Sequence, residues 1–475
     1  MKYCFAAIIP LLILFSVFSC KPDDEILTRD AGAKLEFSTD TVFFDTVFVS
    51  TGSVSKRLKI YNRNKRAVKI DRIQLEKLGA SDFDLIIDGE AKDMASGITI
   101  RGEDSLLILV KVFIDPNNST KPFIIEDNLQ FETNGNRQQV VLRAFGQNAN
   151  FFRDEVLDCN TIWEGPKAYV LYGIVVVPEN CTLTIRAGTK VYGHAEAILY
   201  VQGTLKVEGT ASKRVFFQND RRDSTFAHVP GQWEGLFFDT MSRNNKLQFA
   251  EIKNATYGLR MINFDGNQSV IENTIIKNIF YAGILALDTD VKITNTLITN
   301  CGQFAFAGIG GGKYDFNYCT IANYTPEFKR DDEAVVFSDS AIYKNALRPI
   351  KDPIVTFRNS LLWNGTRNGK LENEILFLTR EGLKNVTVEN SLIQTIRYQN
   401  ESKFTGNGNI LNQDPKFTQP GDGSVLARKI SYSLKKDSPA IGGARLNGTT
   451  IDLPGEPRPQ GANPSPDMGA YENKD

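Results

Sequence analysis

Histidine is almost absent from this chain. Among 475 residues only His194 and His228 occur, too few for an imidazole-built metal site and thin material for a His-dependent triad. Cysteine is scarce too: there are six, and no two are spaced Cys-x-x-Cys, which removes the usual structural zinc motifs, so no metal site is expected. Charge of one sign is also missing, since 55 basic residues stand against 56 acidic ones for a net charge of −1. Such a balance offers no electrostatic footprint for nucleic acid, and none is expected as a partner. The hydrophobic fraction of 41% and charged fraction of 23% are ordinary globular values and argue against disorder.

What the chain does have is a repeat. Gln248-Phe249-Ala250-Glu251-Ile252-Lys253-Asn254 is echoed by Glu272-Asn273-Thr274-Ile275-Ile276-Lys277-Asn278. Thr294-Asn295-Thr296-Leu297-Ile298-Thr299-Asn300 and Asn317-Tyr318-Cys319-Thr320-Ile321-Ala322-Asn323 follow. The closing asparagines Asn254, Asn278, Asn300 and Asn323 are 24, 22 and 23 residues apart. Segments this short and rich in β-branched residues, with no helix-length apolar pattern, read as strands. A period in the low twenties means a solenoid, and the Leu-x-x-Leu-x-Leu spacing of leucine-rich repeats is missing. The expectation is an all-β chain centred on a right-handed parallel β-helix, one coil per repeat. Rungs about 4.8 Å apart would stack the four asparagines into a structural ladder of paired amides.

The first residues form a separate signal. Phe5 to Phe18 is an apolar run that ends in Val17-Phe18-Ser19-Cys20. It is too short and too near the N-terminus for a permanent membrane span. The pattern resembles the lipobox of bacterial lipoproteins, which implies a signal peptide at 1–19 and lipidation of Cys20, with the membrane as partner through that lipid. Lys21-Pro22-Asp23-Asp24-Glu25 opens a tether over 20–33. It is similar to a sorting signal toward the outer leaflet, and it reads equally well as a solvated linker. The implied location is the outer membrane, lipid-anchored and exposed at the cell surface.

From 34 to 150 the pattern changes to short alternating strands. Thr41-Val42-Phe43-Phe44-Asp45-Thr46-Val47-Phe48-Val49 and Ala67-Val68-Lys69-Ile70-Asp71-Arg72-Ile73 alternate with period two, with more strands at 83–87, 105–114, 128–133 and 139–145. Seven to nine short strands in such a segment indicate an Ig-like β-sandwich. It holds no cysteine, and the order Asn-Arg-Asn-Lys-Arg-Ala-Val-Lys-Ile resembles bacterial Ig-like domains. No constellation for catalysis is present, so a stalk is the expectation.

The coil itself is expected over 151–410. Ala187-Gly188-Thr189, Gly203-Thr204-Leu205-Lys206-Val207-Glu208-Gly209 and Gly231-Gln232-Trp233-Glu234-Gly235-Leu236-Phe237-Phe238 stand in succession. They resemble extracellular members of the pectate-lyase-like β-helix superfamily, a fold that hosts lyases, hydrolases, adhesins and proteins of no known activity. A segment at 324–353, containing Lys329-Arg330-Asp331-Asp332-Glu333, interrupts the rungs. It reads either as a wall of a binding face or as a solvated loop. Cys159 and Cys181 lie 22 residues apart, about one coil, and stack either as a disulfide or as two small buried residues. The final segment, 411–475, carries Ser438-Pro439-Ala440-Ile441-Gly442-Gly443-Ala444 and Pro466-Asp467-Met468-Gly469-Ala470-Tyr471-Glu472. It is similar to the choice-of-anchor Q module, with Gly442 where that module usually has Asp, and is read as the C-terminal cap a solenoid needs.

Catalytic motifs of the polysaccharide-cleaving β-helices are missing from the rungs: neither histidine follows an Asp, there is no Asn-Thr-Asp or Gly-His-Gly block of the hydrolase kind, and the pair Asp331-Asp332 falls in the interrupting segment. The remaining acids and bases are Asp265, Glu272, Asp288, Asp290, Asp315, Lys253, Lys277 and Arg260. Asp288-Thr289-Asp290 with Lys277 is the candidate catalytic set, although turn-forming Asp explains the first two as well. The expected function is a lipid-anchored envelope protein whose β-helix is a non-catalytic binding or adhesion scaffold for polysaccharide, without cofactor. The alternative is a lyase or glycoside hydrolase acting on a uronate-containing glycan, and only there does Ca²⁺ enter. Aromatic side chains on coil faces are the expected sugar platforms; most Phe should instead fill the bore.

Overall fold

The computed structural model describes residues 23–119, 122–223, 225–324, 333–364, 366–367, 370–420, 430–461 and 464–474. The signal peptide, Cys20 and Lys329 to Asp332 lie outside the described residues. Among the described residues, apart from a short 3-10 turn at Asp23–Glu25, the regular structure is all β. Two compact units divide at Asn148 and Ala149.

The first unit is two five-stranded sheets. Val68–Leu75 shows why they face each other: Val68, Ile70, Ile73 and Leu75 are buried, with a register shift between Ile70 and Arg72 restoring the inward face. The inner faces meet through Phe37 with Phe131 (ring centroids 4.8 Å apart) and Phe44 with Phe83 (5.9 Å). Asn62 is fully buried at the Asn-Arg-Asn-Lys-Arg turn; its amide donates to the carbonyls of Arg66 and Arg101, both at 2.8 Å. A buried amide needs such partners, so this turn is locked to its neighbour.

The second unit is a parallel β-helix. Each coil places one strand in an eleven-stranded, one in an eight-stranded and one in a nine-stranded sheet. In one coil these are Ile275–Ile279, Ala282–Leu287 and Val291–Thr294, after which Leu297–Cys301 starts the next. Register is set by inward columns. Leu236, Leu259, Ile284, Phe306, Val335 and Ile375 are successive partners in the eight-stranded sheet, and all are fully buried. A one-residue slip would turn every such side chain to solvent. Val335–Ser338 lies inside the segment read from sequence as an interruption; it is a buried rung, and the hairpin of Ile342–Tyr343 and Ala346–Leu347 follows it. The rung begins twelve residues after the closing Asn323, whereas the equivalent strands Ala255–Ile262, Ala282–Leu287 and Phe304–Ile309 begin within four residues of theirs, which is why the repeat pattern passes over it.

Asparagine recurs because the corners need it. Asn254, Asn278 and Asn300 have φ of 62°, 54° and 52° at the turn into the eight-stranded sheet. At the turn into the eleven-stranded sheet the left-handed residues are Phe249, Asn273, Asn295, Tyr318, Asn359 and Asn390. Asn tolerates this region better than other L-residues. The amides of the first group pair as Asn254 to Asn219 (2.7 Å) and Asn300 to Asn278 (3.4 Å), while Asn323 bonds the backbone N–H and carbonyl of Cys301. The interactions are thus local pairs in place of one continuous ladder.

Aromatic rings close both ends of the bore. Phe152, Trp163 and Tyr169 stack at one end, and Tyr398 lies against Phe404 at the other, with ring centroids 5.2 Å apart. Cys159 and Cys181 are joined by a disulfide between neighbouring coils, and Cys301 and Cys319 are buried. The C-terminal segment lies along the flank of the coil. Its Tyr432, Leu434, Ala440, Leu453 and Met468 form a second core with Leu297, Tyr318, Leu361, Trp363 and Leu392.

Phe316 stacks on Phe357 at 4.4 Å inside the bore. Phe316→Ala should cost about 3–5 kcal/mol. Denaturant unfolding of the second unit, followed by hydrogen exchange of its rungs, measures this loss, and amides before Asn148 should keep their protection.

Candidate functional site

The carboxylates read from sequence as catalytic candidates are already committed to partners. Asp288 and Asp290 flank the turn between the eight- and nine-stranded sheets. Asp288 pairs with Lys351 (2.7 Å), whereas Asp290 accepts the backbone N–H of Lys313 (2.8 Å) and burial raises its pKa. Lys277 sits on the eleven-stranded sheet and pairs with Glu251 at 2.9 Å. The whole strand Ala282–Leu287 separates it from the Asp turn, so the structure does not bring the three together. Asp265 pairs with Arg243 (2.5 Å), Glu272 with Lys246 (3.4 Å) and Asp315 with Arg358 (2.6 Å).

Around Glu251 the balance is cationic. Burial pushes its carboxyl up, but Lys277, Lys253 and Arg214 outweigh this and its pKa is lowered. Burial lowers Lys253, assisted by Lys277, and it lowers His228, assisted by Lys253 and Lys277. Arg214 donates to the carbonyls of Asn273 (2.5 Å) and Leu453 (2.6 Å), so that guanidinium is tied to the fold.

Two other surfaces are organised. The first is a file of rings on the outer side of the eight-stranded sheet. Phe237 and Tyr257 have ring centroids 5.7 Å apart, Tyr257 and Tyr281 5.3 Å, and Tyr281 and Phe304 5.9 Å. The rings are tilted or edge-to-face, the arrangement their quadrupoles favour. Tyr200 extends the file by one coil as the register partner of Phe237, and Arg260 lies 5.1 Å over the Phe237 ring. Tyr257, Tyr281 and Phe304 are half-buried, and Phe280 beside them is exposed. Each of the three follows a closing asparagine, Asn254, Asn278 or Asn300, by three or four residues. That offset is the sequence signal for the file, visible once the corners are known.

The second surface is a groove between the nine-stranded sheet and the C-terminal strap. Left-handed asparagines point their amides outward, and the strap lies on them. Asn273 donates to the carbonyl of Asp452 (2.7 Å), Asn295 to Ile451 (2.7 Å), Asn359 to Arg445 (3.0 Å) and Asn390 to Gly443 (3.3 Å). Where the strap arches away, Asn317 and Asn447 exchange amide contacts, and Asn317 also reaches Thr449 Oγ1 (3.1 Å). A cavity of about 630 Å³ remains between Asn447–Ile451 of the strap and Glu272, Lys292, Thr294 and Arg358 of the coil. A smaller one of about 220 Å³ adjoins it at Arg358 and Asn447. Neither was legible in sequence, because each is walled by residues far apart in the chain.

The strap ends in a buried knot. Arg458 Nη1 lies 2.6 Å from Glu472, both side chains fully buried, and its guanidinium lies 3.9 Å over the Tyr318 ring. Asp452 accepts the N–H groups of Gly455, Glu456 and Glu472; Asp467 accepts those of Gly442 and Asn473. Asp467 thereby bonds the backbone of Gly442, the position where the resembled module usually carries an Asp. Burial raises all three carboxyls, Glu472 to about 7 even though Arg458 opposes it.

Residues 155–286 match the family described as a pectate-lyase like beta helix domain. Among solved structures the chain is similar to a family 123 glycoside hydrolase from Clostridium perfringens, at 8% identity over 26% of each chain with a TM-score of 0.17. It spans about a quarter of that chain's length. It is also similar to the catalytic domain of a GH87 alpha-1,3-glucanase in complex with nigerose, at 10% identity over 72% of this chain and 82% of that one, with a TM-score of 0.19. Likenesses at these TM-scores carry no argument about activity. Comparison with curated proteins gives no match.

The knot sets a pH dependence. A carboxyl whose folded pKa lies above its ordinary value binds its proton more tightly in the folded state. Its contribution is therefore complete below the ordinary value and is lost as pH rises through the folded one. For Glu472 that window runs from 4.5 to about 7. Protection of the 452–474 amides, corrected for intrinsic exchange, should fall between pH 5 and pH 8 by about an order of magnitude. Glu472→Gln should flatten that slope, and an unchanged slope in the variant would assign the effect elsewhere.

Proposed function

We propose that this protein is a non-catalytic carbohydrate-binding scaffold of the cell envelope, held to the outer membrane through a lipid on Cys20. The observation that carries the reading is the file of Tyr257, Tyr281 and Phe304, half-buried rings on three consecutive coils, backed by the buried Phe237 on the coil before them. Sugar rings present apolar C–H faces, and a repeating row of aromatic side chains offers a repeating polymer one contact per coil. Burial of apolar surface against rings with polar tips is how such contacts combine affinity with tolerance of water. The ion-paired state of Asp265, Glu272, Asp288 and Asp315 supports binding over cleavage, because a general acid or base must be free to exchange its proton.

The test is retention of the chain in affinity gels containing neutral and acidic polysaccharides, with reducing ends and unsaturated-uronate absorbance read in the same samples. Retention without product is expected. Each lost ring contact is worth about 1 kcal/mol, so Tyr257→Ala with Tyr281→Ala should weaken retention about thirtyfold. Product formation, or a double variant that binds as well as the parent, would overturn the reading.

A further inference from the structure

The groove beneath the strap has a chemistry the aromatic file lacks. We infer that the cavity between Asn447–Ile451 and the nine-stranded sheet is a second ligand site, for a hydroxylated molecule that carries one oxyanion group, a carboxylate or a sulfate.

Volume and lining argue for a ligand of sugar size. About 630 Å³ lies within the range of small-molecule sites and is far larger than a packing defect. Its walls are mainly polar, with Asn295, Asn317, Asn447, Thr449 and Thr450 among the lining side chains. Amides and hydroxyls both donate and accept, which is what a set of ligand hydroxyls requires. Asn317 and Asn447 are held in place by their mutual contacts, so the hydrogen-bonding frame is set before a ligand arrives.

Charge then selects among hydroxylated ligands. Glu272 is neutralised by Lys246, and Arg358 by Asp315. Lys292 also lines the cavity, is exposed, and has no ion-pair partner among the described residues. Among the lining residues two cations, Lys292 and Arg358, thus face one carboxylate, Glu272, leaving one positive charge for the ligand to meet. A charge-assisted bond from the Lys292 ammonium is stronger than a neutral one and would fix the orientation of the bound unit. The site stands on the nine-stranded sheet and the strap, so it does not depend on the aromatic file of the eight-stranded sheet.

Isothermal titration of the full chain tests this with four probes: a neutral disaccharide, the same disaccharide bearing one carboxylate, the same bearing one sulfate, and inorganic sulfate alone. At least one anionic disaccharide should bind about tenfold more tightly than the neutral one, a difference of about 1.4 kcal/mol. The stronger of the two names the oxyanion. Lys292→Met should abolish the preference, Lys292→Arg should keep it, and Tyr281→Ala should leave it unchanged. Thr449→Val should weaken both disaccharide classes. Equal affinity for charged and neutral probes, a preference that survives Lys292→Met, inorganic sulfate binding as tightly as the sugars, or no binding at all would each overturn the inference.

Discussion

In six successive coils the corner into the eleven-stranded sheet turns through left-handed backbone, and much of the second unit follows from that constraint. An ordinary L-residue pays about 1–2 kcal/mol to sit there. Six successive coils place Phe249, Asn273, Asn295, Tyr318, Asn359 or Asn390 at the corner. Asparagine lowers the cost and leaves its amide pointing away from the bore. Where an aromatic residue takes the position, its ring is covered by an arginine: Arg214 lies 5.5 Å from the centre of Phe249, and Arg458 lies 3.9 Å from that of Tyr318. Both solutions present a polar or cationic anchor in a line down the flank.

The C-terminal strap uses this line as its dock. Its carbonyls from Gly443 to Asp452 accept from successive corner amides, so an irregular segment is held with nearly the periodicity of the coil beneath it. The knot around Arg458 then fixes the far end. An ion pair with both partners fully buried is costly to leave half-made, which gives the strap a defined seat more than a large gain in stability. Because the strap arches between its anchors, it leaves a polar cavity, while the eight-stranded sheet keeps its aromatic file outside. The two surfaces belong to different faces of one coil.

Much of this architecture was legible in the repeat. The spacing of Asn254, Asn278, Asn300 and Asn323 reports the coil length, and alternating Ile and Val report which side of each rung is inside. The amide pairing could not be read, since it depends on which corner each asparagine occupies: Asn323 turns to the Cys301 backbone instead of Asn300. The second set, Asn273 and Asn295, stood in the same repeated segments but was masked by the strand residues around it. The bond from Asn273 to Asp452 joins residues 179 apart, and no local pattern announces such a pairing. The sequence candidates Asp288, Asp290 and Lys277 were chosen on residue type, and charge pairing across coils decides their surroundings. A strand's ion-pair partner lies one coil away in space and some twenty or more residues away in sequence.

The most direct measurement separates the corner's backbone role from its amide role. Glycine accepts the left-handed conformation but has no side-chain amide. In a chain with Asn273→Gly, Asn295→Gly and Asn359→Gly, hydrogen–deuterium exchange should show rungs such as Ile276 and Ile298 protected as before. Strap amides between 443 and 452 should exchange rapidly. Strap protection equal to that of the parent, or loss of protection throughout the coil, would contradict the account that corner amides dock the strap.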